Sequence, residues 1–173
     1  MKEPGHYSFY LLDLIIENNY KKFVEIGIWQ CVTMRKILRN DINNQIKEYW
    51  AVDNFNHVES GYHRKLDIDV WEGAYFQACR YLTKHPQLKV LRMKASDACK
   101  LFWKGYLDMV FIDGSHDYDS VKEDIECWEP LIRSGGIISG HDYLNKGYGV
   151  KKAVDEKYKE IKELPGGCWY IKL

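Results

Sequence analysis

The sequence has no long apolar run. None approaches the roughly 20 residues that a helix needs to cross a bilayer, so no membrane span is expected. It has no excess of either charge. Lys and Arg number 25 and Asp and Glu number 25, for a formal charge of 0. A broad basic face for nucleic acid is therefore not expected. The 5 cysteines are an odd number and form no CxxC pair. That excludes a disulfide framework and a thiolate zinc site, and free thiols fit a reducing compartment such as the cytoplasm. Proline is scarce, at 4 residues, and no Pro/Gly/Ser-rich linker or repeat occurs. The first 20 residues carry Asp13 and Glu17 within their apolar part and no small-residue cleavage site. A signal peptide is not expected.

What is present suits one soluble globular domain over residues 1–173. Apolar residues make up 46% and charged residues 29% of the chain. Short apolar runs alternate with helical patterns, the arrangement of a parallel sheet covered by helices. A first helix is expected over about Tyr7–Asn18, within an N-terminal segment 1–20. The strands are read at "KFVEIG", "EYWAVD", "LKVLRM", "LDMVFID" and "GIISGHD". "EIKELP" and "CWYIKL" are expected to close the sheet as a hairpin-like pair. Helices are expected over about Thr33–Leu38, over Trp71–Thr83 and at "SDACKLFW", with Ser96 or Asp97 as its N-cap. Val121, Ile125, Trp128 and Ile132 stripe a further helix that Gly135-Gly136 should stop, and "GVKKAVDEKYKE" is the last. Residues 54–70 show no periodicity and read as a long loop, a candidate lid or substrate loop.

In open α/β sheets ligands bind beyond the carboxyl ends of the strands. Glu25, Asp53, Ser96, Asp113 and Asp142 all stand at or just after such ends. Gly27, in "VEIGIWQCVT", permits a tight turn or a close ligand, but the GxGxxG dinucleotide fingerprint is absent. Asp53 could grip both hydroxyls of a ribose. Ser96 could meet an adenine edge or cap its helix. Asp113 and Asp142 could chelate a hard divalent cation such as Mg2+, with His141 adding a nitrogen, and His116 could serve as general base. Asp113 as a plain turn cap and His116 as a locally bonded loop residue stay open at this point. Lys146, Lys151 and Lys152 read as a solvated helix start. His6, His57, His63 and His85 lack ligand spacing.

The stretches "FVEIGIWQCVT", "YWAVD", "MKASDA" and above all "DMVFIDGSHDYDSVKEDIECWEPLIRSGGIISGHDY" resemble one family. They are similar to class I S-adenosylmethionine-dependent methyltransferases, and more narrowly to small-molecule O-methyltransferases of the macrocin O-methyltransferase and cephalosporin hydroxylase type. The resemblance covers about Phe23 to Val154. It implies a Rossmann-like, doubly wound, mostly parallel seven-stranded sheet with an antiparallel C-terminal strand and helices on both faces. It implies an S-adenosylmethionine site made by Glu25, Gly27, Asp53, Ser96 and Asp113, and a cation held by Asp113, His141 and Asp142. Asp113 and His116 then fall at the catalytic positions. The implied reaction is methylation of a sugar or other small hydroxylated acceptor, which aromatic residues of the 54–71 segment could stack against. Relatives usually carry a second glycine where this chain has Cys31, and an acid where it has His141. A homo-oligomer is compatible with all of this. Two other readings stand beside it: a module that binds S-adenosylmethionine without turnover, and a metal-dependent hydroxylase or hydrolase on the same fold.

Overall fold

The computed structural model describes residues 6–56 and 67–173. Its seven strands form one sheet in the order β3-β2-β1-β4-β5-β7-β6. They are β1 Lys22–Ile26, β2 Glu48–Asp53, β3 Leu88–Arg92, β4 Leu107–Ile112, β5 Ile132–Gly140, β6 Lys162–Leu164 and β7 Cys168–Lys172. β1 to β5 run parallel, while β7 is antiparallel to both β5 and β6. The sheet reverses its order between β1 and β4, which is where a doubly wound sheet opens a crevice for a ligand.

The apolar strand runs are buried from both sides, as a parallel sheet requires. On one face Phe23, Tyr49, Ala51, Met109 and Phe111 pack under α1 (Ser8–Glu17), α2 (Val32–Asn40) and α3 (Ile68–Leu82). On the other, Val24, Ile26, Val52, Val110, Ile112 and Ile138 pack under α4 (Ala95–Ala98), α5 (Tyr118–Trp128) and α6 (Val150–Lys157). All six residues of β4 are buried, so it is the central strand. No described helix is long and apolar enough to cross a membrane.

Three differences from expectation bear on the site and its surroundings. Gly135-Gly136 does not stop a helix. α5 ends at Trp128, a 3-10 turn covers Glu129–Leu131, and both glycines lie inside β5. A side chain at Gly136 would come within 2.6 Å of the Asp108 carbonyl in β4, so close strand contact, not helix termination, demands glycine there. The second difference is α3, which begins at Ile68 instead of Trp71. Its first turn is exposed, with Ile68 54% and Val70 38% accessible, so no buried stripe marks it. The expected loop is shorter by that turn, and its residues 57–66 lie outside the described residues. Third, Lys94 stands at the N-cap of α4, and Ser96 lies inside the helix without a capping bond.

Candidate active site

The β1 turn is held in place by close backbone contact. Gly27 has φ +81°, and a Cβ there would sit 2.2 Å from the Asp113 carbonyl oxygen. Glycine is thus required on two counts, conformation and space. The turn carries two further left-handed residues, Trp29 at φ 32° and Cys31 at φ 60°. The conformation of Cys31 is one that glycine adopts freely. Its Sγ lies 3.5 Å from the Trp29 carbonyl in the turn and 3.8 Å from the Ala74 carbonyl in α3, and burial pushes the thiol up to about 12. The added bulk is absorbed by α2–α3 packing.

Asp53 closes the turn from β2. Its carboxylate accepts the Trp29 amide at 2.9 Å and the Phe55 amide at 2.7 Å. Burial raises its pKa, and these amides oppose the rise. Glu25 sits beneath the turn, 1% exposed, and accepts the Tyr49 hydroxyl. Burial, opposed by that bond and reinforced by Asp113 and Asp53, pushes its carboxyl up to about 8. Burial thus favours the neutral carboxyl of Glu25, a bias that its position at a strand end did not reveal. Ser96 stays half-buried in α4, beyond the tip of β3.

The tips of β4 and β5 bring the other predicted residues together. The strands are in register, and the His141 amide donates to the Ile112 carbonyl at 3.1 Å. His141 Nδ1 lies 3.4 Å from Asp113 Oδ1 and 3.2 Å from Asp142 Oδ2. Its Nε2 donates to the Gly166 carbonyl at 2.9 Å. Burial works against its charge, yet the two carboxylates outweigh it and push His141 up to about 10. Asp142, at φ 57°, is held below the usual carboxylate range, because the two histidines outweigh the opposing effect of burial. His116 Nε2 lies 3.5 Å from the same Asp142 oxygen, and its ring stacks on Tyr148 at 4.6 Å.

Asp113, His141 and Asp142 offer ligand atoms within 4.8 Å of one another. Two carboxylate oxygens and an imidazole nitrogen whose other N–H is tied to a carbonyl form a donor set that suits a divalent cation. Sequence reasoning missed Tyr7. Its hydroxyl donates to Asp113 Oδ2 at 2.9 Å, accepts from Thr33 at 3.0 Å, and its ring lies 4.3 Å from that of His141. Nothing local to Tyr7 signals this, since Asp113 is 106 residues away. Tyr49 was missed for the same reason.

A family profile described as "Methyltransferase domain" matches residues 24–143. The chain belongs to this methyltransferase family. As a class I, S-adenosylmethionine-dependent methyltransferase it has the strand order and the β1–β4 crevice described above. No curated protein matches the sequence. Solved structures that share the fold of the methyltransferase include the following three. The O-methyltransferase NovP is 23% identical, with a TM-score of 0.67 over 95% of this chain and 77% of its own. The SAH-bound Podospora anserina methyltransferase PaMTH1 is 13% identical, with a TM-score of 0.67 over 95% and 76%. CalS11, a TDP-rhamnose 3'-O-methyltransferase, is 14% identical, with a TM-score of 0.60 over 94% and 77%. The methyltransferase matches its family over the stretch that carries Glu25, Gly27, Asp53, Ser96, Asp113, His116, His141 and Asp142.

Proposed function

We propose that the chain methylates a hydroxyl oxygen of a small acceptor, a sugar or similar polyol, with His116 as general base. The observation that carries the reading is the His116–Asp142–His141–Asp113 cluster beside the Gly27 turn. Glu25, Gly27, Asp53, Ser96 and Asp113 form the cofactor side of the crevice. S-adenosylmethionine supplies a methyl group on a sulfonium, already activated for displacement. The methyl carbon passes to the acceptor oxygen as its bond to sulfur breaks, and the bonding pair returns to sulfur. The acceptor proton goes to His116. With Nε2 turned to Asp142, Nδ1 is the nitrogen left to receive it. Alignment of oxygen and methyl supplies much of the rate.

Asp113, His141 and Asp142 would hold a divalent cation, which would lower the pKa of an acceptor hydroxyl. Mg2+ suits the carboxylates best. The cation would take the place of the proton on His141 Nδ1. The sugar assignment is supported by the polar, carboxylate-lined rim and by the fold shared with CalS11. The expected stacking aromatics are unsuited to the task where they are described. Phe55 is 0% and Trp71 5% exposed, and Tyr62 lies outside the described residues. Tyr148, 42% exposed and stacked on His116, is the ring an acceptor would meet instead.

The test is a methyl-transfer assay with labelled S-adenosylmethionine over a panel of sugar nucleotides, polyols and phenols. His116→Ala should lower turnover by about 10²–10⁴-fold and leave S-adenosylhomocysteine affinity unchanged. Equal turnover by wild type and variant would exclude His116 as the base. A cofactor that binds without turnover on any acceptor would favour the binding-module reading.

A further inference from the structure

Tyr7 enters the site from the N-terminal edge of α1, and its hydroxyl group is fully committed. A phenol has one proton to give. Thr33 Oγ1 donates to Tyr7 Oη, so that proton goes to Asp113 Oδ2. Three separate elements, α1, α2 and the tip of β4, are joined through one oxygen. The ring is fixed as firmly. It packs 4.3 Å from the His141 ring and 5.7 Å from Phe111. Gly166 closes its other side, where a Cβ would come within 3.2 Å of Tyr7 Cβ. The same Gly166 carbonyl accepts His141 Nε2. Tyr7 thus touches Asp113 directly and shares with His141 a packing partner that also fixes that imidazole.

The two oxygens of Asp113 consequently have separate tasks. Oδ2 accepts the hydrogen bond from the Tyr7 hydroxyl, and Oδ1 faces His141 Nδ1. We propose that Tyr7 is a positioning residue of the transfer site, which holds Asp113 Oδ2 so that Oδ1 is presented, with His141 Nδ1 and Asp142, to a hard divalent cation. This rests on the cation reading given under the proposed function. Carboxylates that bind metals are themselves held by hydrogen bonds, and the loss of such a partner costs about 10- to 100-fold in affinity. A mere staple for α1 would need the ring alone. Here the hydroxyl is aimed at a carboxylate of the cluster.

The experiment is a Mn2+ titration followed by electron paramagnetic resonance, on wild type, Tyr7→Phe and Thr33→Val. Calorimetry with S-adenosylhomocysteine and a thermal melt accompany each. Tyr7→Phe keeps the ring and removes the hydroxyl. It should raise the Mn2+ dissociation constant about 10- to 100-fold, with S-adenosylhomocysteine affinity preserved. Thr33→Val releases Tyr7 one step back and should shift Mn2+ affinity in the same direction, by less. It keeps the test open if Tyr7→Phe folds poorly. Mn2+ binding by Tyr7→Phe equal to wild type, whatever the melting temperature, overturns the positioning role alone. A wild type that binds no Mn2+ removes the cation itself and the role with it.

Discussion

At Gly27 the chain has no freedom to vary. Its φ of +81° and the 2.2 Å approach of a hypothetical Cβ to the Asp113 carbonyl oppose any side chain. Gly27→Ala should cost more than about 2 kcal/mol of stability, read from the urea midpoint, because strain and steric overlap add. Cys31 is the contrasting case. It also adopts a left-handed conformation, but its thiol is buried against the Trp29 and Ala74 carbonyls. Cys31→Gly should leave the S-adenosylhomocysteine dissociation constant within about threefold of wild type, a difference under 1 kcal/mol. A tenfold change would show that the side chain reaches the cofactor. The strand-end acids Asp53, Asp113 and Asp142 could be found from sequence, because each follows an apolar run at a point where chain direction must change. Tyr7, Thr33 and Tyr49 could not. They act through partners distant in sequence, and an aromatic or hydroxyl residue in an amphipathic segment looks like packing or surface until the fold folds it back.

Among the elements, α5 is tied most closely to the site. Asp117 caps it by accepting the Ser120 amide, one residue after His116. Asp117→Ala should cost about 1 kcal/mol, the usual value of such a cap. It should also reduce turnover, because it loosens the turn that carries His116. Unchanged turnover would mean that the Tyr148 stack and Asp142 suffice to place the imidazole. The strands were legible because apolar runs such as "EYWAVD" end where β2 ends, at Asp53. Gly135-Gly136 was misread because a glycine pair after a helical stripe signals a helix stop just as well as a tightly packed strand. The start of α3 was missed because Ile68 and Val70 face outward, so the first turn has no buried period to detect.

For the molecule as a whole, two buried acids link stability to pH. Burial, then the nearby carboxylates of Asp113 and Asp53 and against the bond from Tyr49, pushes Glu25 from 4.5 up to about 8. Burial, with Glu123 and Asp117, pushes Asp124 from 3.8 up to about 7. The fold holds these protons more tightly than the unfolded chain does. Their contribution is complete below the unfolded values and is lost as pH rises through the folded ones. Stability should therefore fall between about pH 5 and pH 8, by up to a few kcal/mol, and Glu25→Gln should flatten that slope. A rise in the urea midpoint over this window would contradict the buried, protonated state of both acids.

The crevice between β1 and β4, closed by Asp53, holds S-adenosylmethionine. A thermal melt of the wild type and of Asp53→Ala, with S-adenosylhomocysteine added in steps, tests it most directly. Wild-type stability should rise by about 2.7 kcal/mol at 100 times the dissociation constant, with the rise lost or strongly weakened in Asp53→Ala. No shift of the wild type at any ligand concentration, or an equal shift in both proteins, would contradict it.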